Sequence, residues 1–188
     1  RRGYGPTHSQ SIEKLIVGLP NINVVVMNHF VDPSMLYQNA LETKKFNIII
    51  ENKVLYSQNL HKDIIEGYEY ETSNPSNFPI IKIKPKRHEA SCTIFTYGHE
   101  LVYVEEALKT LLYEHDIFCE VICPTLITPL EIEPLNVSVN KTKKLLTIEE
   151  GPSFAAIGSE VISSIVESGT NTFKVIRLGN NSVIPCSY

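Results

Sequence analysis

A histidine held in a short loop just ahead of a helix can be exposed, titratable and close to a ligand, and His8 stands in such a place. It lies in the run Gly5-Pro6-Thr7-His8-Ser9-Gln10-Ser11, ahead of apolar residues at 12, 15, 16 and 19. Physical chemistry alone supports two accounts of it. In one, His8 donates or accepts a proton beside a substrate. In the other, Ser and Thr oxygens cap the helix N–H groups and His8 is merely a surface residue. Of the remaining histidines, His29 follows a strand-like run, and strand ends in α/β sheets face ligand crevices. His61, His88, His99 and His115 read as surface or cap residues. No nucleophile-elbow pattern and no arguable Ser-His-Asp order is present.

Two further constellations have the residue types for chemistry. Cysteines stand at 92, 119, 123 and 186. The spacing of Cys119 and Cys123 puts both on one face of a strand, about 13 Å apart by the rise per residue. That is too far for a disulfide within the strand. A metal site would need two further ligands nearby, and no paired Cys or His motif supplies them. Buried reduced thiols in a reducing compartment are the reading that remains. Glu149-Glu150-Gly151-Pro152 is a strand-to-helix turn of the kind that can cradle phosphate. It lacks a full phosphate-loop pattern and carries two carboxylates, so it reads as structural, with Gly158 allowing close helix–sheet packing.

The elements that must hold these residues alternate along the chain. The apolar spacing from Ser11 to Leu19 predicts a helix, closed by Pro20-Asn21, and Asn23 to Met27 predicts a buried strand. Asp32-Pro33 opens a second helix, with Asp as cap and Pro in the first turn. Phe46 to Ile50 is a second buried strand. Periodicity is weak from Ser57 to Phe78, and Ile80 to Ile83 is expected as an edge strand ahead of a charged connector at Lys84 to Glu89. Strands are then expected at Ala90–Tyr97, Cys119–Cys123, Leu145–Glu149 and Phe173–Leu178. Helices are expected at Leu101–Tyr113, with Glu105 and Glu106 outward, at Pro129–Val139 and at Ala156–Glu167. Such alternation predicts parallel α/β sheets.

Composition bounds the function. With 43% hydrophobic and 20% charged residues the chain of 188 is an ordinary globular one. A formal charge of −4 argues against nucleic acid as the main partner, and the short basic runs at 82–87 and 141–144 read as solvated surface. No apolar stretch approaches the roughly 18 residues of a membrane span. The start, Arg1-Arg2-Gly3-Tyr4, has no apolar core after it and no Met before it, so the chain reads as part of a longer or cleaved protein rather than one with a signal peptide.

Gly5-Pro6-Thr7-His8-Ser9-Gln10-Ser11 resembles the same string in the beta subunits of thiamine-diphosphate-dependent 2-oxo acid dehydrogenases, members of the transketolase-like family. The likeness continues in order through Leu19 to Val25, Ile50 to Tyr56, Thr96-Tyr97-Gly98, Val121-Ile122, Thr128-Pro129-Leu130, Glu149 to Pro152 and Ile157 to Glu160. It implies the carboxy-terminal part of a pyrimidine-binding α/β domain over residues 1–84. A complete three-layer α/β/α transketolase carboxy-terminal domain would follow over 85–188. The matching histidine of the family lines the active-site channel and is linked to acyl transfer onto a lipoyl arm, which makes His8 the implied catalytic residue. The intact enzyme would use thiamine diphosphate and magnesium. The family's catalytic glutamate would lie upstream of Arg1 and its diphosphate site on the alpha subunit, so no cofactor or metal ligand is expected within these residues.

Implied partners are a dehydrogenase alpha subunit, a lipoyl acyltransferase and a second beta chain, in a bacterial cytoplasm, a mitochondrial matrix or a plastid. The chain departs from the family at Ala156, where glycine is usual, and at Asn180-Asn181, where an aspartate is usual. It also departs in the ending Ile184-Pro185-Cys186-Ser187-Tyr188 and throughout 57–84, which leaves the 2-oxo acid open. Two alternatives stand beside this reading. One is a non-catalytic dimerisation or assembly module. The other is another transketolase-like enzyme such as a deoxyxylulose-phosphate synthase, against which Ser9-Gln10 argues.

Overall fold

The computed structural model describes residues 11–60, 63–73 and 77–181. Strand β1 (Ile22–Val26) is a run of β-branched residues with four consecutive buried positions, as expected of a strand covered on both faces. Helix α1 (Pro33–Glu42) follows. Asp32 caps it by accepting from the Ser34 N–H at 2.8 Å, and Pro33 occupies the first turn, where no N–H is needed. The helix returns the chain to β2 (Phe46–Ile50), which pairs with β1 in parallel.

The second half builds a larger sheet from β3 (Tyr68–Ser73), β4 (Ile80–Pro85), β5 (Cys92–Thr96), β6 (Cys119–Pro124), β8 (Lys144–Ile148) and β9 (Lys174–Leu178), in the order β3-β4-β6-β5-β8-β9. Between β6 and β8 the three residues of β7 (Leu126–Thr128) cross to the first sheet and pair antiparallel with β1. The four strands β6, β5, β8 and β9 are parallel, and β3 and β4 add an antiparallel margin. The crossovers are α2 (Glu100–His115), α3 (Glu133–Thr142) and α4 (Ile157–Glu167).

Strand alternation assigns each helix to a face. Ile94 of β5 and Cys119, Val121 and Cys123 of β6 join the cluster under Leu101, Val104 and Leu108 of α2. Phe95 and Ile122, one residue on, join the cluster under Leu135 and Val139 of α3 and Val161 and Ile165 of α4. This is the three-layer α/β/α arrangement expected from the sequence. Cys119 and Cys123 share a face, as their spacing requires, and both are buried free thiols. Strand β1 contributes Val25 to one cluster and Val24 and Val26 to the other, so both sheets rest on common apolar cores.

Four local expectations are corrected. The strand Phe46–Ile50 is not a buried one: only Ile50 is buried and Phe46 is 68% exposed. The helix over Ser11 to Leu19 is only a 3₁₀ turn at Glu13–Leu15. Its apolar stripe finds little to pack against, Leu15 being 80% exposed, and short helices depend on such packing. Ile80 to Ile83 is not an edge strand. Its central strand β4 is flanked by β3 and β6, and β3 was hidden in a stretch whose alternation of Tyr and Glu reflects pairing with lysines. Lys84 Nζ reaches Glu71 at 2.5 Å and Glu69 at 3.3 Å across that pair. Finally, Glu105 does not point outward. It is buried beside the end of β1.

Candidate functional site

Polar residues gather at the carboxyl ends of the strands in two clusters. The first lies beyond β1 and β2. Asn28 folds the chain there, its Oδ1 accepting from the N–H groups of Phe30 at 2.9 Å and Val31 at 3.1 Å. The turn sends His29 inward, where it is buried and its Nε2 lies 2.6 Å from Glu105 Oε2 of α2. The other carboxylate oxygen accepts from the Tyr70 hydroxyl at 2.8 Å. Burial, with the Glu105 charge beside it, pushes the Tyr70 phenol well above its ordinary range, so it remains a hydrogen-bond donor. A buried carboxylate is tolerated here because two donors face it.

A cavity of about 370 Å³ opens over this end, lined by Asn28 and His29 together with Tyr37, Glu51, Leu55 and Tyr56. Glu51 accepts from the hydroxyls of both Tyr37 and Tyr56, and these bonds hold its carboxyl below the usual range. His29 thus lines a strand-end crevice. Its Nε2 is turned onto Glu105.

The second cluster joins the segment after His8 to the larger sheet. The Tyr97 hydroxyl, just beyond β5, lies 3.2 Å from Glu13 Oε1 and 3.1 Å from Glu149 Oε2. Glu149 itself closes the amino terminus of α4, accepting from Ile157 N–H at 2.9 Å and Gly158 N–H at 2.8 Å. The sequence does place a glycine-bearing turn at a helix start, but its anion is the protein's own carboxylate. Burial raises the Glu149 carboxyl above its ordinary range, and the two N–H bonds and Tyr97 oppose that shift only in part. Next to Glu13, the Lys14 ammonium donates to the Pro152 carbonyl oxygen. Glu13, Lys14, Tyr97 and Glu149 therefore tie residues 13–15 to the turn between β8 and α4.

His8, His61 and Cys186 lie outside the described residues. His99 occupies the cap position of α2, as expected, but is buried rather than at the surface, and burial lowers its basicity. His88 stacks on Phe118, with ring centroids 4.0 Å apart. Sequence reasoning missed Glu105, Glu13 and Tyr97 as site residues. For Glu105 a signal existed. It falls four residues after Leu101 and three before Leu108, on the buried stripe of α2.

A family model described as the transketolase C-terminal domain matches residues 82–188. The chain belongs to that family. The full chain aligns at 32% identity over 190 residues with the pyruvate dehydrogenase E1 component subunit beta of Porphyra purpurea, covering 100% of this chain and 54% of that protein. The corresponding subunit of Rickettsia bellii is 31% identical, with 85% of this chain and 46% of that protein covered. The mitochondrial subunit of Saccharomyces cerevisiae is 29% identical, with 88% and 44% covered. The chain thus spans about half the length of these relatives. A solved structure described as a split gene transketolase, an inactive beta4 tetramer, superposes with a TM-score of 0.68 over 98% of this chain and 56% of that one, at 21% identity. That likeness is one of fold. The transketolase-like α/β architecture expected from the motifs is therefore present, with the family match falling on the larger sheet.

Proposed function

We propose that this transketolase-family chain acts as the carboxy-terminal part of the beta subunit of a thiamine-diphosphate-dependent 2-oxo acid dehydrogenase. The intact enzyme would decarboxylate a 2-oxo acid oxidatively and pass the acyl group to a lipoyl arm. The observation that carries this reading is the alignment of the whole of this chain with about half of a pyruvate dehydrogenase E1 beta subunit. Its partners would be an alpha subunit, a second beta chain and a lipoyl acyltransferase. We read residues 1–84 and 85–188 as parts of two transketolase-like domains, with β3 and β4 as a hairpin added to the margin of the second sheet. The free thiols Cys92, Cys119 and Cys123 accord with a reducing compartment, a bacterial cytoplasm, mitochondrial matrix or plastid. Among the described residues no helix is long and apolar enough to cross a membrane.

Among the described residues no group of three or more His, Cys, Asp or Glu side chains stands together. The N–H groups at the start of α4 are taken by Glu149.

The role assigned to this chain's own residues is proton donation at the lipoyl sulfur by His8. Supporting it, the segment three to seven residues beyond His8 is tied down through Glu13 and Lys14 to Tyr97, Glu149 and Pro152. Substituting His8→Gln in the intact assembly with its alpha subunit tests this. Reductive acylation of a free lipoyl domain should fall by about 100-fold, the ordinary contribution of a positioned general acid. Decarboxylation read with an artificial electron acceptor should change far less. Equal loss of both steps would remove His8 from this role.

A further inference from the structure

Cys92 opens β5 and Cys119 opens β6, and the two are register partners in the parallel pair. Register partners point to the same face, and both thiols pack in the cluster covered by α2. Neighbouring strands lie about 4.8 Å apart, inside the roughly 4.4–6.8 Å between Cα atoms that a disulfide spans. Both are free thiols, Cys119 buried and Cys92 only half-buried. They stand at the amino ends of the strands, away from the clusters around His29 and Glu149.

The surroundings divide the roles. A hydrogen bond from Cys119 and the nearby Lys144 ammonium hold the Cys92 thiol below its ordinary range. The same bond to Cys92, with burial, pushes the Cys119 thiol up. The less buried residue of the pair is thus the one biased toward thiolate, and the buried one is biased toward the neutral thiol. Thiolate is the form that attacks an oxidant. Cys123 lies on the same face of β6, but burial pushes its thiol up to about 12, and its partner on β4 is Ile81.

We propose that Cys92 and Cys119 form an oxidation site, in which Cys92 reacts with a hydroperoxide and Cys119 resolves the product as a cross-strand disulfide. With hydrogen peroxide, the Cys92 thiolate attacks one oxygen, the O–O bond breaks and hydroxide leaves, which gives a sulfenic acid. The Cys119 sulfur then attacks the Cys92 sulfur, the S–O bond breaks and the Cys119 proton leaves with the hydroxyl as water. The two sulfurs lose two electrons together, and the peroxide oxygens gain them. The inference is independent of the role of His8.

The chain is treated with hydrogen peroxide, its remaining thiols are alkylated, and it is mapped by mass spectrometry without reduction. The expected product is an intramolecular Cys92–Cys119 link that a reductant removes. In Cys119→Ser the sulfenic acid at Cys92 should persist and be trapped by dimedone, while Cys92→Ser should give neither link nor adduct at Cys119. A measurement on the unaltered chain stands beside the variants in case they misfold. Iodoacetamide near neutral pH should alkylate Cys92 at least about tenfold faster than Cys123, following thiolate fraction and access. The proposal is overturned by a link from Cys92 to Cys186 or to a second chain, or by Cys92 and Cys119 both remaining thiols. Equal alkylation of Cys92 and Cys123 overturns it as well.

Discussion

Replacing Gly158 by alanine probes how closely α4 lies on β8, and two opposed effects decide the sign. Alanine is favoured over glycine in a helix by about 0.8–1.0 kcal/mol. Against that, a Cβ at 158 would stand 2.6 Å from Glu149 Oε1, 2.7 Å from Thr147 Oγ1 and 2.9 Å from Thr147 Cβ. Thr147 is fully buried and Glu149 is 5% exposed, so neither side chain can swing into solvent. Overpacking of this kind costs about 1–3 kcal/mol. Displacing Glu149 also weakens two hydrogen bonds to a charged group, each contributing about 1.5–3 kcal/mol. Overpacking and a partial loss of those bonds outweigh the helix gain, for a net destabilisation of about 2–4 kcal/mol.

Urea unfolding followed by far-ultraviolet circular dichroism reads this as a lower midpoint at unchanged slope. Adding Thr147→Ala should recover about 1 kcal/mol through the coupling of neighbouring sites. Thr147 Oγ1 has no hydrogen-bond partner among the described residues, so its removal relieves one clash at little polar cost. A Gly158→Ala chain as stable as the parent, or more stable, refutes the argument that Glu149 and Thr147 fill the space where a methyl would go.

Two further outcomes follow from the same clusters. Glu149 has a folded-state carboxyl raised above its unfolded value by burial. Its contribution to stability is therefore greatest below the unfolded value and declines as pH rises through the folded one. Comparing urea midpoints of the parent and Glu149→Gln from about pH 4 to pH 8 should show the parent losing ground to the variant as pH rises from about 4.5. A gap that widens in the parent's favour over that window would contradict it. Glu105→Leu removes the acceptor of His29 Nε2, which is buried, and of the Tyr70 hydroxyl, which is half-buried. It should cost about 3 kcal/mol or more in the same assay. An unchanged midpoint would mean the cluster contributes nothing net.

The candidate sites were legible in unequal degree. The order of motifs could be read because each is a contiguous string; His8 stands in the first of them, outside the described residues. The closing of α4 by Glu149 could be read only in part. The turn Glu149-Glu150-Gly151-Pro152 marks a strand-to-helix junction, but which carboxylate turns back onto the helix depends on the angle at which α4 leaves β8. Glu105 was misjudged as solvated because a carboxylate on a helix is ordinarily outward. Its burial depends on His29 and Tyr70, which are 76 and 35 residues away in the chain.

The sequence by itself determined the alternation of strands and helices, the two-faced burial of β1, and the cap of α1 by Asp32. These follow from side-chain periodicity and local hydrogen bonding, which act within a few residues. Only the tertiary structure decided that β4 is interior, that the stretch before it folds into β3, and that β7 leaves the larger sheet to pair with β1. It alone brought Glu13 to Tyr97 and Glu149, and set Cys92 beside Cys119. Each of these rests on strand order or register between distant segments. A polar or cysteine side chain carries no mark of the partner that long-range pairing will place against it.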